Sequence, residues 1–372
     1  MESNGKVLFF NIDKSYISIL KQTFFDSNIQ VFESDDLLNS KEIIEKENLD
    51  IVLVDYNTTP EESLGLLTFV KQTYPSIYRI AILGTEDQKR AIYLIFKGLA
   101  SSTFEKPHGM LDLMKNAVHI LEIRKILKEK KLLEMISTIE NLIALPNTYF
   151  KFTKALEKNR PVREIVDILK ADISISTKIL QIANSAFFRE NKITSVENAY
   201  RYLGSHNIKN IVTIFCYHNA EKLENIQEEA FKAIIKHSLR VNQELFSSYE
   251  LRTGEQLSDS FASVGITHDI GKIILLKYLP DRFNEIIQFI DNNPRDDFYN
   301  SEIKLGYESG THEEIGGYFL DLWNLPEANV HIALYHHDYS KAMESYKKVF
   351  EIFKDVDHDM EICEYTKMFE QM

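Results

Sequence analysis

The sequence predicts a multidomain chain, an α/β doubly wound unit over residues 1–125 followed by an all-α unit. Three observations carry this. Short, fully apolar runs alternate with amphipathic segments in the first third of the chain. No strand signal persists after Pro146. Gly and Pro number only 13 and 8 in 372 residues, which favours long helices over a turn-rich β fold. Fully apolar runs alternating with helices mark a parallel sheet covered on both faces. A chain of 372 residues also exceeds one ordinary core.

Taken in order, Lys6-Val7-Leu8-Phe9-Phe10 reads as the first strand. Ile51-Val52-Leu53-Val54 runs into Asp55 and reads as the third, and Ile80-Ala81-Ile82-Leu83 as the fourth. Amphipathic stretches such as Ser15 to Phe25 and Leu64 to Thr73 lie between them. In such sheets chemistry collects at the carboxyl ends of the strands, where Asn11, Asp13, Asp55 and Lys106 fall. From His119 to Leu142 the chain is rich in Leu, Ile, Lys and Glu without Gly or Pro, which predicts a helix over 126–142 leading out of the first unit. The all-α unit is expected over 143–345. Its helices are predicted near 150–158, 162–170, 173–185, 195–203, 207–220, 228–248, 258–279, 281–291, 312–323 and 327–337. The charged tail, 346–372, is expected to be helical with a weaker stripe.

The formal net charge of −13 repels phosphate backbones, and no basic recognition helix is present, so direct nucleic-acid binding is disfavoured. Cys216 and Cys363 fit neither a disulfide framework nor a zinc ribbon, which suits a reducing, cytoplasmic setting. The N-terminus lacks the pattern of a signal peptide, and no run reaches the length of a membrane span, so membrane insertion is not expected.

The stretch His268-Asp269-Ile270-Gly271-Lys272 carries the chemistry. Adjacent helical residues point about 100° apart, so the doublet needs partners from other helices. His237 upstream and His312, His336, His337 and Asp355 downstream are the candidates, with Asp357 and Asp359 close by in the same tail. His237 lies beside Ile234 and Val241, and His268 continues a stripe from Phe261 and Val264. Thr311 and Glu314 have capping-box spacing that starts a helix at His312. A lone histidine of this kind is more often a satisfied core residue; five on four helices beside an Asp point to a metal. Imidazole with carboxylate suits Fe, Mn, Co or Zn. Lys272 is expected to reach solvent or form a structural pair.

The first unit resembles the receiver domain of bacterial response regulators, a flavodoxin-like fold. Asp55 stands where that family keeps its phosphoacceptor, and Lys106-Pro107 matches its Lys-Pro. The resemblance implies phosphoryl transfer to Asp55 with Mg²⁺ and Lys106 pairing the phosphate. The chain departs from it: Asn11-Ile12 replaces the acidic pair, with Asp13 one step late, and Leu83 replaces the Ser or Thr, with Thr85 out of phase. A degenerate receiver working by protein contact is therefore expected, with Mg²⁺ bound only if it is active. Asp55 as an unused strand-end carboxylate remains open.

The order His, His-Asp, His, His-His, Asp resembles the HD phosphohydrolase superfamily. More closely, residues 139–355 resemble the HDOD family, HD-related output domains of bacterial signalling proteins. The matching motifs are Leu145-Pro146, Ile182-Ala183-Asn184-Ser185-Ala186, Leu203-Gly204, His237-Ser238 and His268 to Lys272. Thr311 to Gly316, Leu322-Trp323-Asn324-Leu325-Pro326 and Tyr335-His336-His337 complete them. The Gly-Tyr-Pro segment of the HD-GYP cyclic-di-GMP phosphodiesterases is absent; Asp338-Tyr339-Ser340 follows His337. The resemblance implies a two-component-type signalling adaptor whose output binds a protein partner or a nucleotide second messenger, and it leaves a homodimer open. The alternative is a metal-dependent phosphohydrolase acting on a nucleotide or cyclic dinucleotide. Its ligands would be His237, His268, Asp269, His312, His336 and Asp355, with His337 adjacent.

Overall fold

In the computed structural model the described residues are 5–84, 87–106, 109–124, 130–139, 148–185, 192–218, 225–341 and 343–357. Thr85, Pro107, Leu145-Pro146, Ala186, Asp359 and Cys363 lie outside them. The first unit alternates β1 (Gly5–Phe10), α1 (Lys14–Asp26), β2 (Ile29–Ser34), α2 (Leu37–Lys46), β3 (Ile51–Asp55), α3 (Pro60–Thr73), β4 (Tyr78–Leu83), α4 (Gln88–Phe96), β5 (Ser102–Glu105) and α5 (Met110–Ile123). The strands are all parallel, in the order β2-β1-β3-β4-β5. Every residue of β3 and β4 is buried, whereas the edge strand β2 is buried only at its two ends. That contrast explains the sequence pattern: interior strands meet helices on both faces and read as unbroken apolar runs. The doubly wound architecture expected for this unit is therefore the observed one, and its strand order places a switch point between β1 and β3.

Local chemistry sets the helix ends. Asp36 caps α2 by accepting from the Asn39 backbone N–H at 2.7 Å, and Pro60 opens α3. Arg124, just past α5, donates to the carbonyls of Ser76 at 2.7 Å and Asp50 at 3.2 Å. The helix expected over 126–142 is helical over Lys130–Ser137, here α6, and its residues 126–129 and 140–142 fall outside the described ones.

Beyond it no strand occurs among the described residues, and the chain is helical. The elements are α7 (Thr148–Glu157), α8 (Val162–Lys170), α9 (Ile173–Ser185), α10 (Val196–His218), α11 (Asn225–Thr253), α12 (Val264–Thr267), α13 (Ile270–Tyr278), α14 (Pro280–Asn292), α15 (Phe298–Lys304), α16 (His312–Leu322) and α17 (Glu327–Tyr335). A further helix, α18, spans 347–357. The break expected between 203 and 207 is a kink inside α10 at Gly204, with φ 77° and ψ 156°. Asn324 adopts φ 57°; its amide donates to the Asn184 carbonyl at 3.1 Å and its side-chain oxygen accepts from Lys192 at 3.0 Å. Two of the sequence motifs thereby meet. By internal contacts the chain divides into Met1–Glu140 with Gln181–Lys192 and Leu322–Asn324, and the remainder. Among the described residues no helix is long and apolar enough to cross a membrane.

Two expectations change here. The single helix predicted over 258–279 is broken at the His-Asp doublet: α12 ends at Thr267, and Asp269 (φ −93°, ψ 17°) starts α13. The helix α15 was not anticipated from periodicity. It is short, it is capped by Asp297 accepting from the Asn300 N–H at 2.6 Å, and it buries Phe298, Ser301 and Glu302.

Candidate functional site

The break at the doublet solves the problem of two neighbours that diverge on a regular helix. His268 closes α12 and Asp269 opens α13, so both side chains turn to one point. Two glycines set the helix crossings that bring partners there. A Cβ on Gly265 would stand 2.5 Å from the Asn242 Cα, so α12 lies directly against the α11 backbone that carries His237. A Cβ on Gly271 would stand 1.9 Å from the His312 carbonyl oxygen, so α13 and the start of α16 touch backbone to backbone. Half of the capping box expected at His312 is present: the Glu314 N–H donates to Thr311 Oγ1 at 3.3 Å, while the Glu314 carboxylate accepts from the Gly310 N–H at 2.6 Å.

Around this point the donors form two halves. In one, His237 Nε2 and His268 Nε2 lie 3.3 Å apart, and Asp357 Oδ1 is 2.9 Å and 3.1 Å from them. Asp269 Oδ2 stands 3.5 Å and 3.4 Å from the same nitrogens. In the other, His312 Nε2 and His336 Nε2 lie 3.3 Å apart, and Asp269 Oδ1 is 3.6 Å from each. His337 joins His312 and His336 with a ring nitrogen within 4.8 Å of theirs. Asp269 thus turns one carboxylate oxygen to each half.

His237, His268, Asp269, His312, His336 and Asp357 are between 0% and 5% exposed. Phe353 packs its ring against His268 at 5.2 Å. The imidazoles are oriented from behind: His268 Nδ1 lies 2.9 Å from the Gly265 carbonyl and His336 Nδ1 3.0 Å from that of Ala333. Each then carries its proton on Nδ1 in the neutral form and presents Nε2 as a lone pair.

These residues fit a divalent ion. Neither oxygen of buried Asp269 accepts a hydrogen bond, and the buried His337 Nε2 has no hydrogen-bond partner. Lys272 meets Asp269 Oδ2 as an ion pair at 2.9 Å. Two nitrogens on one ion at about 2.1 Å stand roughly 3.0–3.4 Å apart, the spacing both histidine pairs adopt. Imidazole and carboxylate without thiolate suit Fe, Mn, Co or Zn.

The charge states follow from the packing. Burial opposes a proton on His268, but the carboxylates of Asp269 and Asp357 outweigh it and raise the group to about 10. Burial likewise works against the charge on Asp269, and His268 and Lys272 overcome it, holding this carboxyl well below its usual range. Asp357 is held well below that range too, because the His268 charge and the His237 hydrogen bond outweigh burial. His312 and His337 are pushed well below the ordinary imidazole value, by burial first, then by Lys272 beside His312 and by His336 beside His337. Burial opposes a proton on His336, and the facing Asp269 carboxylate and the Glu313 charge overcome it, so this group is raised. Burial lifts Glu302 to about 8 and Glu313 to about 7.

Most of the sequence candidates converge: His237, His268, Asp269, His312, His336 and His337. Asp355 does not. It lies on the surface in an ion pair with Arg252 at 2.6 Å, and Asp357 occupies the place expected for it. The signal was available, since Phe350 and Phe353 stand seven and four residues before Asp357 on the buried stripe of α18. Lys272 is 1% exposed, so the solvent-facing alternative fails and the structural pair holds. Glu302 and Glu313 were missed. Glu302 faces His312, and Glu313 accepts the His337 N–H at 2.8 Å. A buried glutamate leaves no periodic mark in a sequence.

In the first unit Asp55 is fully buried, and Lys106 is ion-paired to its Oδ2. Asn11 (φ 53°) uses its amide on Thr59 Oγ1. Asp13 turns its carboxylate outward, accepting from the Ser15 N–H at 2.9 Å and Oγ at 2.7 Å. Those bonds lower its pKa. Of the acidic candidates, Asp55 is the one ion-paired to Lys106 among the described residues.

Similar proteins complete the picture. An uncharacterized curated protein of Treponema pallidum (strain Nichols) is 24% identical over 215 residues, covering 56% of this chain and 40% of its own length. The chain thus spans about two fifths of the curated relative it matches. The MmoQ response regulator from Methylococcus capsulatus str. Bath is similar at 16% identity and a TM-score of 0.48, over 59% of this chain and 86% of that one. Full-length FixJ from B. japonicum is similar at 11% identity and a TM-score of 0.29, over 58% of this chain and 99% of that one. The HDOD domain family matches residues 142–339, more than half of the sequence, and the chain belongs to that family.

Proposed function

We propose that this chain is a cytoplasmic signal-transduction regulator. Its receiver-like unit takes its input by protein contact, and its HDOD unit, built around a divalent-metal centre, answers by binding a protein partner or a nucleotide second messenger. The observation that carries this reading is burial: six of the seven converging donors are 0–5% exposed, and Phe353 lies against His268. A centre enclosed in this way ties α11, α13, α16, α17 and α18 together and so sets the state of the output unit. His237, His268, Asp357 and one oxygen of Asp269 would hold an ion in one half. His312, His336, His337 and the other oxygen would hold one in the second. When bound, such ions supply charge neutralisation and, with a coordination position open to substrate, Lewis acidity toward a phosphoester.

One observation favours a second reading, a metal-dependent phosphohydrolase acting on a nucleotide or cyclic dinucleotide. Asp269 presents an oxygen to each half, the disposition a pair of ions uses to clamp a phosphoryl group. Elemental analysis of the chain loaded with Mn²⁺, Fe²⁺ or Zn²⁺ decides, together with turnover of bis(p-nitrophenyl) phosphate and of cyclic dinucleotides. Retained metal without turnover supports the regulator. Turnover that vanishes in His268→Ala replaces it with the hydrolase, and a chain that takes up no metal refutes both accounts of the centre.

A further inference from the structure

The histidines of the centre are anchored from behind by different acceptors. His268 and His336 rest on backbone carbonyls. His312 instead sets Nδ1 2.7 Å from a carboxylate oxygen, Glu302 Oε2. Glu302 is fully buried on α15 and accepts the His312 backbone N–H as well, at 2.9 Å and 3.1 Å to its two oxygens. Behind it stands Arg282 of α14, with Nη2 3.5 Å from Glu302 Oε1. Arg282 is itself held, donating to the Gly310 carbonyl at 2.7 Å and lying 3.9 Å over the Tyr307 ring. With Glu302 as a carboxylate, accepting from the His312 backbone N–H and facing Arg282, the His312 proton sits on Nδ1 and Nε2 faces the centre. A carboxylate behind an imidazole fixes its tautomer and raises its strength as a donor, more than a neutral carbonyl does.

We infer that Arg282 and Glu302 are positioning residues that act through His312 and strengthen ion binding in the half formed with His336 and His337. Glu302 meets His312 directly and Arg282 stands behind Glu302, so their effect falls on that half and separates the two in affinity. The inference rests on the metal-centre reading.

The test is titration of the metal-free full chain with Mn²⁺, followed by calorimetry and elemental analysis. Long-range ¹H–¹⁵N spectra of the histidines are recorded alongside. Wild-type protein should bind in two steps. Glu302→Ala should weaken one step by roughly 10–100-fold and leave the other within about twofold. His312→Ala should abolish that same step. Glu302→Gln keeps an oxygen for Nδ1–H, so it should recover most of the lost affinity and preserve the His312 tautomer that Glu302→Ala loses. If Glu302→Ala does not fold, Glu302→Gln and Arg282→Met carry the comparison, each with a smaller loss confined to the same step. Unchanged steps in a folded Glu302→Ala, or equal weakening of both, overturn the inference alone. A wild-type chain that binds no Mn²⁺ overturns the centre and the inference with it.

Discussion

Asp355 and Asp357 are two residues apart on one helix and live in opposite surroundings. Asp357 is 4% exposed between two imidazoles, while the Asp355 side chain is 57% exposed beside Arg252. An exposed pair of that kind is worth about 1 kcal/mol at most. Asp355→Ala should therefore leave metal content unchanged and shift the unfolding free energy by less than about 1 kcal/mol. Asp357→Ala removes a donor and strips His237 and His268 of their shared acceptor. Metal content, read by elemental analysis after dialysis, should fall to the ion held by the other half. The metal-free protein should lose about 2 kcal/mol or more, because buried imidazoles lose a charged partner. Equal behaviour of the two variants would contradict the assignment of Asp357. Sequence reasoning reached the right tail and the wrong carboxylate, although counting back to Phe350 and Phe353 selects the inward one.

At the scale of elements, the site depends on where helices cross rather than on their individual stability. Gly265 and Gly271 allow the α11–α12 and α13–α16 backbones to touch, and a methyl at Gly271 would fall 1.9 Å from a carbonyl oxygen. The clash is with backbone, so the helices must part. Gly271→Ala should cost about 3 kcal/mol in urea unfolding and should lower metal uptake as well. Gly65 in α3 is the contrast: its Cβ would meet only the Leu37 side chain at 3.6 Å. Gly65→Ala should be neutral or stabilise by up to about 1 kcal/mol, the helix-propensity gain. A Gly271→Ala protein as stable as wild type would remove the close crossing as the reason these donors meet. The amphipathic α8 was legible from its stripe of Ile165, Val166 and Leu169, and the ends of α8 and α9 agree with the expected ones. The α12–α13 break and the short α15 were not, because a one-residue departure from helical geometry and a seven-residue helix carry too little pattern.

For the whole molecule the open matter is how a signal enters. Lys106 already neutralises buried Asp55, Asn11 stands where an acidic ligand would help hold Mg²⁺, and Asp13 spends its carboxylate on Ser15. Acetyl phosphate with Mg²⁺ should leave the intact mass of the chain unchanged. Efficient modification, lost in Asp55→Asn, would show that the unit takes a phosphoryl group and would replace input by contact. The sequence by itself determined the α/β unit followed by helices, the parallel character of the sheet, the HDOD membership and the histidine set. These follow from periodicity and local motifs, which act over a few residues and leave a mark in the order of residue types. The tertiary structure decided which carboxylate completes the set, that Asp269 divides its oxygens between two halves, and that Lys272, Glu302 and Arg282 stand behind the donors. Those features arise from helix crossings between segments far apart in the chain, and a buried charge takes its meaning from neighbours that no local pattern names.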